Sequence, residues 1–161
     1  MAPYMVTAPW YLRLLYSRHC IWEIPTTEKI IYLTFDDGPH PLATPFVLNE
    51  LSKYKAKATF FCIGKNVAAY PEIYRQILQA GHRIGNHTHH HLNSKKTPEK
   101  EWLEDVKKAS QWIESDLFRP PYGRISRFQE KTLREASPGF KTIMWSVLSG
   151  DFDTRLSGSD C

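Results

Sequence analysis

The chain has 161 residues, 42% of them hydrophobic and 24% charged, with five Trp, eight Tyr and eight Phe. That length suits one domain, and the balance excludes wholesale disorder while supplying bulky apolar surface for a core. The formal charge of +4 comes from Lys and Arg that alternate with Asp and Glu, so no nucleic-acid partner is expected.

Cys20, Cys62 and Cys161 are odd in number and far apart, which suggests neither a disulfide framework nor a Cys-type zinc site. Cys62 lies in an apolar run and reads as a buried thiol. No apolar stretch approaches the roughly 20 residues of a membrane helix. The stretch Trp10 to Tyr16 is short and interrupted by Arg13, a poor signal-peptide core. The expectation is a chain without transmembrane segments, nominally cytoplasmic, whose residues 1–27 form an extension packed on a domain of 28–161.

The run Ile30 to Phe35 is β-branched and aromatic and ends at Asp-Asp-Gly-Pro, which predicts a buried strand. A helix follows, with Thr44 as its cap, Pro45 at its first position, and Phe46, Val47, Leu51 and Tyr54 on one face. Ala58 to Ile63 is a second strand, stopped by Gly64. Pro71 opens a helix that Gly81 ends, and Arg83 to His87 is a third strand. Thr97-Pro98 starts a helix with Trp102, Val106, Ala109 and Ile113 inward. Leu117 to Arg119 is a fourth strand, Ser126 to Ala136 a helix with a thin apolar stripe (Phe128, Leu133), and Lys141 to Ser146 a fifth strand. Helices between apolar strands imply parallel pairing, hence an α/β class. About five βα steps are too few for a closed (β/α) barrel, leaving an open parallel sheet or a barrel cut short.

Polar residues gather just after these strands: Asp36 and Asp37, His87 and His91, Arg119 to Gly123, and Asp151. In a parallel α/β fold the carboxyl ends of the strands share one rim, so groups distant in sequence converge. Two histidines four apart plus a carboxylate make a borderline-metal site with open positions, whereas alone they read equally as a solvated loop. Asp-Asp-Gly-Pro is an ordinary turn signal, or a pair of carboxylates dividing metal binding from proton transfer. The two prolines after Arg119 make a rigid loop able to aim a cation and N–H groups at developing negative charge, or a structural turn. Gly150-Asp151 alone reads as a turn.

Taken together, these residues resemble the polysaccharide deacetylases of the NodB type, carbohydrate esterase family 4. Thr34-Phe35-Asp36-Asp37-Gly38-Pro39, His87-Thr88-His89-His90-His91 and Arg119-Pro120-Pro121-Tyr122-Gly123 look like its first three motifs, and Trp145 to Phe152 like a variant of the fourth. The resemblance implies a deformed (β/α) barrel, here incomplete, and a divalent metal, usually zinc, with cobalt or nickel as alternatives. It implies Asp37, His87 and His91 as metal ligands, with His89 and His90 as bystanders, and Asp36 as catalytic base. Arg119 would orient Asp36, Asp151 would hold Arg119, and the Tyr122 N–H would help bind the oxyanion. The implied partner is an N-acetylated glycan, peptidoglycan- or chitin-like, that loses acetyl groups from N-acetylglucosamine units.

The family's fifth motif supplies a histidine that protonates the leaving amine, and no histidine follows His91 here. The expectation is therefore a fragment of a longer deacetylase, because the last strand would end on an unpaired edge. Rival functions are hydrolysis of another non-peptide C–N bond and an inactive, metal-holding glycan-binding fragment.

Overall fold

The computed structural model describes residues 7–151, 153 and 155–157. Five strands form one wholly parallel sheet in the order of the chain: β1 (Leu33–Asp36), β2 (Ala58–Cys62), β3 (Arg83–Asn86), β4 (Leu117–Phe118) and β5 (Lys141–Thr142). Helices follow the strands: α2 (Ala43–Lys53), α3 (Gly64–Ala69), α4 (Pro71–Gln79), α5 (Glu99–Ala109) and α6 (Arg127–Ala136), after a short α1 (Trp10–Arg13). Each strand pairs with the next, so the order never reverses, and the sheet has no switch point of the doubly wound kind. Successive parallel neighbours joined by helices are the arrangement of a (β/α) barrel wall.

The pleat of β2 shows how the two faces separate. Ala58, Phe60 and Cys62 pack with Leu51, Val67, Ile77, Ile84, Ala109 and Ile113, the core between sheet and helices. Phe61 points the other way, under the guanidinium of Arg119 at 4.1 Å. Burial pushes the Cys62 thiol up to about 12, so it stays protonated and inert.

A second cluster joins Trp102, Val106, Phe118, Ile125, Leu133 and Met144 to Cys20, which the N-terminal segment contributes. That segment also bridges β5: Ile21 pairs in parallel with Ile143, and Thr7 antiparallel with Val147. The expected strand Lys141 to Ser146 is regular only at its first two residues, and beyond them the Met144 amide donates to the carbonyl of Ile21.

Three local expectations shift. Thr44 is not the cap of α2, which starts at Ala43; the His40 ring accepts from the Leu42 and Ala43 amides while Thr44 Oγ1 accepts from the His40 amide. Phe46 and Tyr54 face solvent, and Leu51 alone of the expected α2 stripe is fully buried, with Val47 half-buried against the core. On α6 Phe128 is exposed and the inward face is Gln129, Glu130 and Leu133; a Ser126–Gln129 capping box starts the helix. Gln129 donates to the Ser94 carbonyl and Glu130 accepts from Ser17, so these buried polar groups are satisfied. No helix among the described residues is long and apolar enough to cross a membrane.

Candidate metal centre and active site

Because all five strands run the same way, the residue after each one reaches the same rim. Asp36 ends β1 and Asp37 follows it, His87 follows β3, and Arg119 follows β4. Asp37, His87 and His91 each offer one ligand atom, all within 4.8 Å of one another. The Nε2 atoms of His91 and His87 lie 3.1 and 3.4 Å from Asp37 Oδ1. His87 is buried, His91 half-buried and Asp37 open to solvent, so the cluster faces outward on one side only.

The donor set fits a divalent cation. His87 donates its Nδ1–H to the Arg119 carbonyl at 2.7 Å, which leaves Nε2 as a bare lone pair facing a carboxylate oxygen. Two acceptors directed at each other need a proton or a cation between them. Two imidazoles and one carboxylate leave positions open for water and substrate.

The loop between the two histidines is irregular, with φ of 64° at Thr88 and 59° at His91. It is nonetheless tied at its backbone by several hydrogen bonds. His87 N–H donates to the Cys62 carbonyl and Thr88 N–H to Asn86 Oδ1. The carbonyls of Thr88 and His89 accept from Gly64 and Lys65, the first amides of α3. Gly64 is required by this closeness: a Cβ there would stand 2.5 Å from His89 Nδ1 and 3.0 Å from Ala109 Cα. Gly64→Ala is accordingly expected to cost about 1–3 kcal/mol of stability, read from urea denaturation midpoints.

Arg119 is 2% exposed and ties β1 to the segment that follows β5. Its Nη1 donates to Asp36 Oδ1 and Thr34 Oγ1, both at 2.8 Å, while Nη2 and Nε donate to the carbonyls of Met144 and Ile143. Burial pulls the guanidinium pKa down and Asp36 opposes that shift. Asp36 Oδ2 takes no hydrogen bond among the described residues and remains open on the rim.

The Arg119–Gly123 loop then turns sharply, with Tyr122 and Gly123 both left-handed at φ 60° and 63°. The amides of Gly123 and Arg124 close this turn on Pro120 and Pro121, and the Tyr122 N–H is not among the closing bonds. The exposed Tyr122 ring lies tilted against His91, 4.6 Å between ring centroids, so the loop borders the histidine cluster.

Asp151 stands apart from this group. It is exposed and accepts from Ser149 Oγ, whereas the bonds of Arg119 go to β1 and to two backbone carbonyls. The structure does not bring Asp151 to Arg119; carbonyls after β5 occupy the place the sequence assigned to a carboxylate. Phe152 and Cys161 lie outside the described residues. A residue missed from sequence is Asp105, whose carboxylate receives the amides of His89 and His90. Its signal was available: Asp105 is an acid on the inward stripe of α5, beside Trp102, Val106 and Ala109.

The sequence profile of the polysaccharide deacetylases matches residues 23–138. A peptidoglycan-N-acetylglucosamine deacetylase of Bacillus cereus is 47% identical over 130 residues, covering 78% of this chain and 60% of that protein. A chitooligosaccharide deacetylase of Bradyrhizobium sp. is 38% identical over 126 residues, 74% of this chain and 57% of that protein. The crystal structure of the Bc1960 peptidoglycan N-acetylglucosamine deacetylase superposes with a TM-score of 0.84 at 32% identity, over 95% of this chain and 72% of that one. The matched part of the chain thus spans about 60% of the length of these two curated relatives. With the profile running from the N-terminal segment through α6 and a sheet that superposes on a solved relative, this chain belongs to the polysaccharide deacetylase family.

Proposed function

We propose that this chain carries the active site of a metal-dependent N-deacetylase acting on N-acetylglucosamine units of a glycan, peptidoglycan before chitin. The observation that carries the reading is the pairing of two carboxylates with different surroundings. Asp37 faces two imidazoles, while Asp36 is held by a buried guanidinium. Adjacent residues of one strand end are thereby split into a ligand and a base.

Asp37, His87 and His91 would hold the ion, zinc by preference for this borderline nitrogen and oxygen set. The chemistry such a cation supplies is Lewis acidity toward the amide carbonyl and toward water. Asp36 accepts the proton of the attacking water on Oδ2, with Arg119 fixing the other oxygen, and returns that proton to the leaving amine nitrogen as the C–N bond breaks. The Tyr122 N–H, in the rigid loop next to His91, donates to the oxygen that becomes negative. The exposed Tyr122 ring gives a sugar an apolar surface at the rim. Preference for peptidoglycan is supported by the Bacillus cereus relative, whose name specifies that substrate.

Acetate release from N-acetylglucosamine oligomers and from peptidoglycan tests the reading. We expect the zinc-loaded chain to release acetate, a chelator to abolish release, and added zinc to restore it. Zinc uptake without acetate from either glycan would count against the activity.

A further inference from the structure

Two of the three candidate ligands sit at the ends of the loop 87–91, and that loop has no regular structure to hold it. Thr88 and His91 have positive φ, a conformation that a threonine and a histidine keep only when their surroundings impose it. Asn86 and the first amides of α3 secure the front of the loop. The amides of His89 and His90 remain, and both point at one oxygen of Asp105, each 2.9 Å from Oδ2. The other oxygen, Oδ1, receives His90 Nδ1–H at 2.5 Å.

Asp105 is nearly buried, with its side chain 4% exposed. It occupies the face of α5 whose neighbours Trp102, Val106 and Ala109 build the core, where an apolar side chain would serve packing better. Acids are rarely buried without a compensating set of donors. Here all three donors come from His89 and His90, two of the three residues lying between His87 and His91.

We propose that Asp105 is a positioning residue of the metal centre. By gathering the amides of His89 and His90 it sets the turn that carries His91 Nε2 round to face Asp37 and His87. It touches neither ion nor substrate and acts through the loop alone. The two middle histidines are thus parts of the same device, through their amides and the His90 ring rather than as ligands. The inference rests on reading Asp37, His87 and His91 as a metal site.

The test uses zinc affinity, measured by competition with a chromophoric chelator, and amide exchange at His89 and His90 in the metal-free chain. Asp105→Ala is expected to bind zinc about 10- to 100-fold more weakly and to exchange both amides faster. Asp105→Asn keeps one acceptor oxygen without the charge, so it should fall between wild type and Asp105→Ala on both readouts. A general loss of packing would lower the melting temperature without this graded recovery. If Asp105→Ala does not fold, Asp105→Asn decides: weaker zinc binding supports the inference, and wild-type affinity overturns it. Wild-type zinc affinity in folded Asp105→Ala overturns this inference alone and leaves the metal site standing. Failure of the wild-type chain to take up zinc overturns the site reading as well.

Discussion

Asp36→Asn is expected to lower acetate release by about 10²- to 10⁴-fold, the usual contribution of a positioned general base, with zinc affinity unchanged. Asparagine keeps the volume of the side chain and an oxygen that can accept from Arg119 Nη1, now 2.8 Å from Asp36 Oδ1. It cannot take a proton from water. The three candidate ligands are untouched, because Asp36 is not one of the three groups facing each other. Turnover and metal binding should therefore separate, and parallel measurement of acetate and of chelator competition checks the separation. Residual release above about a tenth of wild type would remove Asp36 from the role of base, since that is below the smallest effect a general base ordinarily has.

The second large effect concerns folding as well as chemistry. Arg119→Ala is expected to reduce the free energy of unfolding by about 3–5 kcal/mol, the range for removing one member of a buried pair. The guanidinium ties Thr34 and Asp36 on β1 to the Ile143 and Met144 carbonyls beyond β5, across the face where it lies over Phe61. Its removal opens a cavity over Phe61 and leaves two buried carbonyls without their donor. That loss is a large part of the roughly 5–15 kcal/mol that holds a domain together. Arg119→Lys keeps the charge but not the planar fork, so it should recover less than half of the deficit. Urea titration of both variants decides; a loss under about 1 kcal/mol for Arg119→Ala would mean that the bridge contributes no more than a typical single hydrogen bond.

The sheet and most helices were legible because parallel α/β order writes itself as alternating periodicities, and Trp102, Val106, Ala109 and Ile113 are all fully buried as their spacing predicts. Asp36, Asp37, His87, His91 and Arg119 were legible as residues that follow apolar runs, and the structure brings these five onto one rim. What escaped depends on partners distant in sequence. The six-residue α3 is too short to show a period, and its first amides find acceptors in Thr88 and His89. β5 covers only Lys141 and Thr142, and the chain just beyond it is held by a bridge to Ile21, far away in the sequence. The resemblance assigned Asp151 to Arg119, whereas the structure gives that guanidinium the backbone carbonyls of Ile143 and Met144, acceptors that every residue carries and no sequence marks. Asp105 could have been read as the one acid on the inward stripe of α5, but its partners, the amides of His89 and His90, could not.

The N-terminal segment has a reach that its position in the chain conceals. Tyr16 donates its hydroxyl to the Gly123 carbonyl at 3.0 Å, and Arg127, one residue past the cap of α6, donates to the carbonyls of Leu14 and Tyr16. Residues that precede the first strand therefore brace the far end of the turn that presents the Tyr122 amide. A shortened version beginning at residue 28 would keep every candidate ligand and the base, yet lose the strut behind that amide. Such a version also gives up Cys20 from the second core cluster, and in it we expect turnover to fall more than zinc affinity, which makes the choice of starting residue a catalytic decision as much as a matter of stability.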